Sequence, residues 1–176
     1  HEAELLSYGE LWSARLLAAL LRKQGTKADH IDARDFLKAE DAPEPVIQEL
    51  ESRHNLLNRV APFPGTRFIV TGFIARGLNG ESLTLGRNGS DYSATLVGSL
   101  LNSKQVTIWK DVAGVYSADP RKIERVVSLS TLDWSEAEEL ARLGSPVLHP
   151  RTFQPVDRDR MVISVRSSLK VENQQT

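Results

Sequence analysis

Between Glu10 and Gln24 the apolar residues Leu11, Ala14, Leu17, Ala18 and Leu21 return every three or four positions, the period of a helix with one buried face. Ser7 stands where an N-cap is expected, and Gly25 follows the last turn. From Lys27 to Ala33 the alternation tightens to two (Ala28, His30 and Asp32 against Asp29, Ile31 and Ala33), which predicts a strand. Ala39 to Pro45, with two prolines and three acids, reads as a loop. Val46, Ile47, Leu50 and Leu57 predict a second helix that ends before the turn chemistry of Pro62-Phe63-Pro64-Gly65.

The second half alternates strands and helices. Arg67 to Thr71 is β-branched and nearly continuously apolar, as a strand covered on both faces would be. Gly72-Phe73-Ile74 leads into a turn with Gly77, Asn79 and Gly80, and Glu81 to Leu85 returns as a strand. Gly86-Arg87-Asn88-Gly89-Ser90 breaks it just before an apolar-periodic helix from about Asp91 to Leu101. Gln105 to Trp109 is the next buried strand, followed by a loop with Gly114, Tyr116 and Asp119-Pro120-Arg121. Ser135, with Glu138 three residues on, predicts a capping box for a helix through Leu143 that stops at Gly144. Pro150 starts a short helix, Met161 to Arg166 alternates as a last strand, and the polar tail Lys170 to Thr176 is expected to fray. This order predicts one α/β domain with a largely parallel sheet layered between helices, without internal repeat or interdomain linker.

Composition narrows the functions available. Twenty-two basic against 23 acidic residues give a net charge of -1, without the basic stripe that a nucleic-acid backbone or an anionic membrane would select. With 40% hydrophobic and 26% charged residues among 176, disorder, collagen and coiled coil are excluded. The absence of cysteine removes disulfides, thiolate catalysis and Cys-ligated zinc. The longest apolar stretch, Leu16 to Leu21, is far short of the ~20 residues that span a bilayer, and the first residues do not form a signal peptide. A cytoplasmic protein is expected. Met161 is the only methionine and the chain opens at His1, which predicts an excerpt of a longer polypeptide.

Three loops carry groups suited to anions. Glycines at 86 and 89 let backbone approach a phosphate or carboxylate, the following helix start offers unpaired N–H groups, and Arg87 supplies a planar fork oriented by Ser90 and Asp91. An ordinary helix-entry turn with Asp as cap explains the same spacing. Past Trp109, Asp111 could accept ribose hydroxyls, Tyr116 could cover a base and Arg121 could hold a phosphate; a plain Asp-Pro turn is the alternative. In Ser7-Tyr8-Gly9-Glu10 the carboxylate could accept a substrate ammonium or only complement a helix dipole. The chain contains neither Gly-x-x-x-x-Gly-Lys-Ser/Thr nor Gly-x-Gly-x-x-Gly. His1, His30, His54 and His149 lack metal spacing and suit surface or packing roles, and Trp12, Trp109 and Trp134 suit the core or its rim.

Taken together, Ser7-Tyr8-Gly9-Glu10, Thr71-Gly72-Phe73-Ile74, Thr84 to Ala94, Ile108 to Arg121 and Pro146-Val147-Leu148-His149-Pro150 resemble the aspartokinases, in their order along the chain. The likeness runs from about residue 7 to 167 and is greatest to the kinase portion of bifunctional aspartokinase–homoserine dehydrogenases of the methionine-pathway type. It implies an amino acid kinase fold, a three-layer αβα sandwich, and transfer of the ATP γ-phosphoryl group, with Mg²⁺, to the side-chain carboxylate of L-aspartate. By that resemblance Glu10 holds the aspartate ammonium, Arg87 its α-carboxylate, and Phe73, Gly89 and Ser90 complete the pocket. Asp91 is catalytic through the basic groups it orients, while Lys110, Asp111, Tyr116 and Arg121 contact nucleotide. No residue is assigned to a metal. The full-length protein is expected to be a homo-oligomer, with NADP used only by a dehydrogenase region elsewhere.

The chain departs from the pattern in four places. No lysine precedes a Gly-Gly pair, so the Lys-x-Gly-Gly strand that opens aspartokinases is absent and little activity is expected of this stretch by itself. Lys110 stands where a small hydroxyl residue is usual, Pro146 where a nucleotide-contacting lysine is common, and Asn88 where glycine is usual, a change asparagine tolerates because it adopts left-handed backbone. A monofunctional aspartokinase, another amino acid kinase, or a non-catalytic binding relative are the alternative readings.

Overall fold

A computed structural model describes residues 2–111, 114–117, 123–143, 147–156 and 161–169. The chain divides into two compact units, His1–Ser93 and Ala94–Thr176.

The first unit opens with α1 (Glu2–Lys23), whose buried residues Ser7, Leu11, Ala14 and Ala18 recur at helical spacing. The helix starts well before Ser7, so Ser7 is not its cap: the hydroxyl donates 2.6 Å to the Glu4 carbonyl inside the helix. Gly25, at φ +83°, ends it, with Gly25 N–H bonded to the Arg22 carbonyl and Thr26 N–H to the Leu21 carbonyl. That double bond satisfies two last-turn carbonyls and needs the left-handed residue glycine provides. Strand β1 (Ala28–Ile31) follows as the alternation predicts.

The stretch from Ala39 to Pro45 is not all loop. Lys38–Glu40 forms β2 and Val46–Ile47 forms β3, an antiparallel pair. Helix α2 therefore begins later than the apolar pattern suggests, at Glu49–Val60, and turns a different face inward. Leu50 is 87% exposed while Ser52 and Leu56 are fully buried. Ser52 tolerates burial because its hydroxyl accepts the Lys38 N–H at 3.0 Å.

Next come β4 (Arg67–Val70), β5 (Ile74–Gly77) and β6 (Ser82–Thr84). β4 runs parallel to β1 with Ala28 opposite Arg67, and its last three residues are half-buried rather than fully covered. β2, β3, β5 and β6 form one sheet in the order β3-β2-β5-β6, in which β2–β5 is parallel and β5–β6 is the predicted antiparallel return. Helix α3 (Gly89–Leu100) starts two residues before Asp91 and continues past the division between the units.

The second unit is built on β7 (Gln105–Lys110) and β10 (Val162–Ser167), parallel over six residue pairs from Gln105–Val162 to Lys110–Ser167. Gly98 of α3 lies so close to β7 that a Cβ there would sit 2.4 Å from Val106 Cγ2, so only glycine permits this approach. Between these strands β8 (Val115–Tyr116) and β9 (Ser128–Leu129) form a short antiparallel pair, and α4 (Trp134–Arg142) is followed by a 3-10 turn at Pro150–Phe153. The capping box of α4 lies two residues before the predicted one: Asp133 accepts the Glu136 N–H at 2.9 Å and Glu136 returns the bond to the Asp133 N–H at 3.0 Å. Ser135 instead donates its hydroxyl to Asp133 Oδ1 at 2.7 Å. The two longest ladders, β7–β10 and β1–β4, are parallel, in line with an α/β fold.

Candidate functional site

Three stretches far apart in sequence meet in the first unit. Glu10 is half-buried in the third turn of α1, so the idea that it complements a helix N-terminus does not hold. Its Oε2 accepts the Gly72 N–H at 3.1 Å, across 62 residues of chain. Gly72 in turn faces the start of α3: a Cβ there would lie 3.5 Å from the Cα, Cβ and Oγ of Ser90.

Phe73 has a φ of +66°, unusual for a bulky residue, and the Ile74 N–H reaches back to the Gly72 carbonyl at 2.8 Å. A three-residue bond centred on a positive φ is a γ-turn of the rare, strained hand. Such strain persists only where neighbours over-determine the conformation. Here Phe73 N–H donates to Ser93 Oγ at 2.9 Å, its carbonyl accepts the Leu85 N–H at 2.7 Å, and Ser93 Oγ donates to the Gly89 carbonyl at 2.7 Å. The Phe73 ring lies against Gly89, where a Cβ would approach its Cδ2 to 2.9 Å. Gly89 is buried for that reason. Neither the strain at Phe73 nor the role of Ser93 has a local signal, although Ser93 belongs to the same run as Asp91.

The turn before α3 takes the left-handed conformations expected of it, with Gly86 at φ +76° and Asn88 at +56°. Arg87 and Ser90 are exposed and Asp91 is half-buried in the first helical turn. Arg87 makes no ion pair or hydrogen bond among the described residues, which leaves its fork open to a ligand.

A second polar cluster fixes α1 against this region. Arg34 is 8% exposed; its guanidinium meets both Asp32 oxygens, at 2.7 to 3.1 Å, and also Glu4 at 3.0 Å, Ser82 at 2.9 Å and Ser7 at 3.2 Å. The Ser82 hydroxyl also donates to Glu4, and that bond, ahead of the Arg34 charge, holds the Glu4 carboxyl below its usual range. For Asp32, burial pushes upward but is outweighed by hydrogen bonds and charge from Arg34, so its carboxyl also lies low. The Arg34 guanidinium is raised, first by its bond to Asp32. A buried cation satisfied at every nitrogen fixes geometry more than it adds stability.

In the second unit, half-buried Lys110 ends β7, and its carbonyl accepts from Ser168 N–H at 2.7 Å and Ser168 Oγ at 3.0 Å. Asp111 follows, exposed, at the carboxyl end of a parallel strand, where α/β sheets collect ligands. Tyr116 is half-buried in β8 opposite Ser128. Arg121 and Pro146 lie outside the described residues, as do Asp119, Pro120, Gly144, His1 and the tail from Lys170.

The three described histidines make local or packing contacts. His149 caps the 3-10 turn by accepting the Arg151 N–H at 3.3 Å, His54 pairs with Asn58 at 2.9 Å, and His30 accepts from Arg15 at 3.3 Å. Trp134 packs edge-on to Phe153 at 6.1 Å, while Trp12 and Trp109 are 67% and 53% exposed. Among the described residues no three His, Cys, Asp or Glu gather as metal ligands, and no helix is long and apolar enough to cross a membrane.

Known proteins resemble the chain in sequence and fold. Bifunctional aspartokinase/homoserine dehydrogenase 2 of Escherichia coli K12 is 52% identical over 166 residues, covering 94% of this chain and 20% of that protein. Lysine-sensitive aspartokinase 3 of the same organism is 36% identical over 169 residues, covering 94% of this chain and 37% of that one. The crystal structure of E. coli aspartokinase III in complex with aspartate and ADP superposes with a TM-score of 0.89 at 33% identity, over 96% of this chain and 38% of that one. The chain thus spans about a fifth of the bifunctional relative and just over a third of the monofunctional ones. Residues 1–167 match the amino acid kinase family, with an α/β fold to correspond, and the chain belongs to that family.

Proposed function

We propose that this chain is the aspartate-binding and nucleotide-binding part of an aspartate kinase domain. The observation that carries the reading is the convergence of Glu10, Gly72-Phe73 and Gly89-Ser90, brought together from separate stretches with Arg87 left open beside them. Glu10 Oε2 is engaged by Gly72, so Oε1 is the natural acceptor for the substrate ammonium. Arg87 holds the α-carboxylate through two parallel hydrogen bonds, as a guanidinium fork prefers. Phe73, held by its strained turn, walls the pocket with Gly89 and Ser90.

The side-chain carboxylate of aspartate is already ionised at neutral pH and needs no general base. One of its oxygens attacks the γ-phosphorus of ATP, the bond from that phosphorus to the β,γ-bridging oxygen breaks, and ADP leaves with the electron pair. Catalysis is then positioning plus compensation of charge. Asp91 orients the groups that meet the transferring phosphoryl, and Lys110, Asp111, Tyr116 and Arg121 hold the nucleotide. A Mg²⁺ bound by phosphates needs only one or two protein carboxylates, and no residue of this chain is assigned to it. When bound, it neutralises charge on the phosphates.

The 52% identical relative supports a bifunctional polypeptide in which any NADP chemistry belongs to sequence outside these residues. We further place the protein in the cytoplasm as a homo-oligomer that binds neither nucleic acid nor membrane.

The test is a hydroxylamine trap on the complete gene product. Aspartyl hydroxamate should form only when ATP, Mg²⁺ and aspartate are all present, and none under those conditions refutes the kinase reading. Glu10→Gln should raise the aspartate KM roughly 10- to 100-fold, the worth of one charge-assisted contact, with the ATP KM unchanged.

A further inference from the structure

Phe73 brackets the loop that carries Arg87. Its carbonyl accepts the Leu85 N–H at 2.7 Å before the loop, and its own N–H donates to Ser93 Oγ at 2.9 Å after it. Arg87, Gly89, Ser90 and Asp91 all lie between those two bonds. The first joins main chain to main chain, whereas the second depends on one side chain.

Ser93 Oγ also donates to the Gly89 carbonyl at 2.7 Å, four residues back. That half of the arrangement is the habit of any helical serine. Ser13 in α1 makes the same bond, to the Gly9 carbonyl at 2.9 Å, and is exposed. The other half is not ordinary: Ser93 is 6% exposed, and its oxygen receives a main-chain N–H from 20 residues away. A hydroxyl has one proton to give, so once the Gly89 carbonyl takes it the oxygen faces Phe73 as an acceptor. One atom thereby sets both residues, and they have no slack between them, since a Cβ on Gly89 would come within 2.9 Å of Phe73 Cδ2. Phe73 needs that hold, because a bulky side chain at φ +66° leaves this region when its restraints are removed. Substrate would then have to restore the turn, which weakens apparent binding by the fraction of molecules still holding it.

We propose that Ser93 is a positioning residue for the amino-acid substrate, holding the Phe73 turn and the Gly89-Ser90 helix start in register before aspartate arrives. It acts through Phe73 and Gly89 and not on the substrate. The inference rests on the aspartate kinase reading and adds what pre-shapes its pocket. Ser93→Ala in the complete gene product should raise the aspartate KM roughly 5- to 50-fold, with kcat and the ATP KM little changed. Ser93→Thr, whose hydroxyl can make the same bond back along the helix, should recover most of that rise. Ser52→Ala is the matched control: Ser52 is also buried in the first unit and accepts one main-chain N–H, from Lys38 at 3.0 Å, but its partner is no part of the pocket. It should lower the melting temperature and leave the aspartate KM alone. In the unsubstituted protein without ligand, the Phe73 amide should already exchange slowly with solvent deuterium. Free exchange there overturns the inference. So does an aspartate KM unmoved by Ser93→Ala, one raised equally by Ser52→Ala, or a Ser93→Thr protein as impaired as Ser93→Ala. An unsubstituted gene product that forms no aspartyl hydroxamate overturns the kinase reading and this inference with it, an outcome distinct from those four.

Discussion

Gly72 and Phe73 are fixed by side chains, whereas the end of β7 is fixed by a ladder of main-chain bonds. In the first unit Glu10 holds the Gly72 N–H, Ser93 holds the Phe73 N–H, and Arg34 ties Glu4, Asp32 and Ser82 into one cluster. In the second, Lys110 closes six parallel pairings with β10, and its carbonyl is capped by Ser168. A main-chain ladder survives substitution of its side chains, while a side-chain tie ends with one. Point substitutions of polar residues should therefore cost most in the first unit.

Arg34→Ala gives the largest effect. It leaves the Asp32 carboxylate, 19% exposed, without its cation, and breaking a mostly buried pair from one side costs about 3 kcal/mol. Urea unfolding should show that loss; a change like that of a surface ion pair would mean the cluster is solvated and the comparison fails. Acid weakens the same cluster more gently. Glu4 and Asp32 have carboxyls lowered in the folded state, so their stabilisation is complete above the ordinary carboxylate range and is lost as pH falls through their folded values. Unfolding midpoints should drop below about pH 4, and Arg34→Ala should flatten that drop.

Gly89→Ala comes next. The new methyl would stand 2.9 Å from Phe73 Cδ2 and 3.2 Å from Leu85 Cβ, an overpacking worth about 1–3 kcal/mol. Displacing the ring should raise the aspartate KM of the complete gene product and spare the ATP KM. Equal changes in both would show that the two loops are not independently held.

The same contrast explains what could be read from sequence. β7, β10 and the Pro150 turn rest on local period and turn chemistry and appear within a residue of those signals, while α3 starts two residues before the expected Asp91. The apolar pattern misplaces α2 because Val46 and Ile47 form β3, paired with β2, and because Ser52 rather than Leu50 joins Leu56 in facing the core. Hydrophobicity cannot mark a Ser52 whose burial depends on the Lys38 N–H. At the site, the glycine turn and Arg87 were legible, since positive φ and an open fork follow from residue type. For Glu10 the helix-end alternative fails, because the carboxylate sits in the third turn of α1 and its partner in the structure is the Gly72 N–H, which no local pattern marks. Phe73 at positive φ was illegible, because what enforces it is a hydroxyl 20 residues away.

The smallest effect belongs to a polar side-chain device that is local, the N-cap of α4. Two capping boxes fit the run from Asp133 to Glu138, and the structure uses the earlier one, with Trp134, packed on Phe153, as the first helical residue. The Asp133 carboxyl lies below its usual range, first because it accepts the Glu136 N–H and then through the Ser135 hydroxyl. Asp133→Ala removes one helix-start acceptor and nothing distant, so it should lower stability less than Gly89→Ala does, and Asp133→Asn, which keeps the acceptor, should recover most of it. Hydrogen exchange locates the loss: faster exchange confined to the first turn of α4, with Gly72 and Phe73 amides unchanged, is the expected pattern. Acceleration at those two amides would mean that a local cap in the second unit props up the first, against the distinction drawn between them.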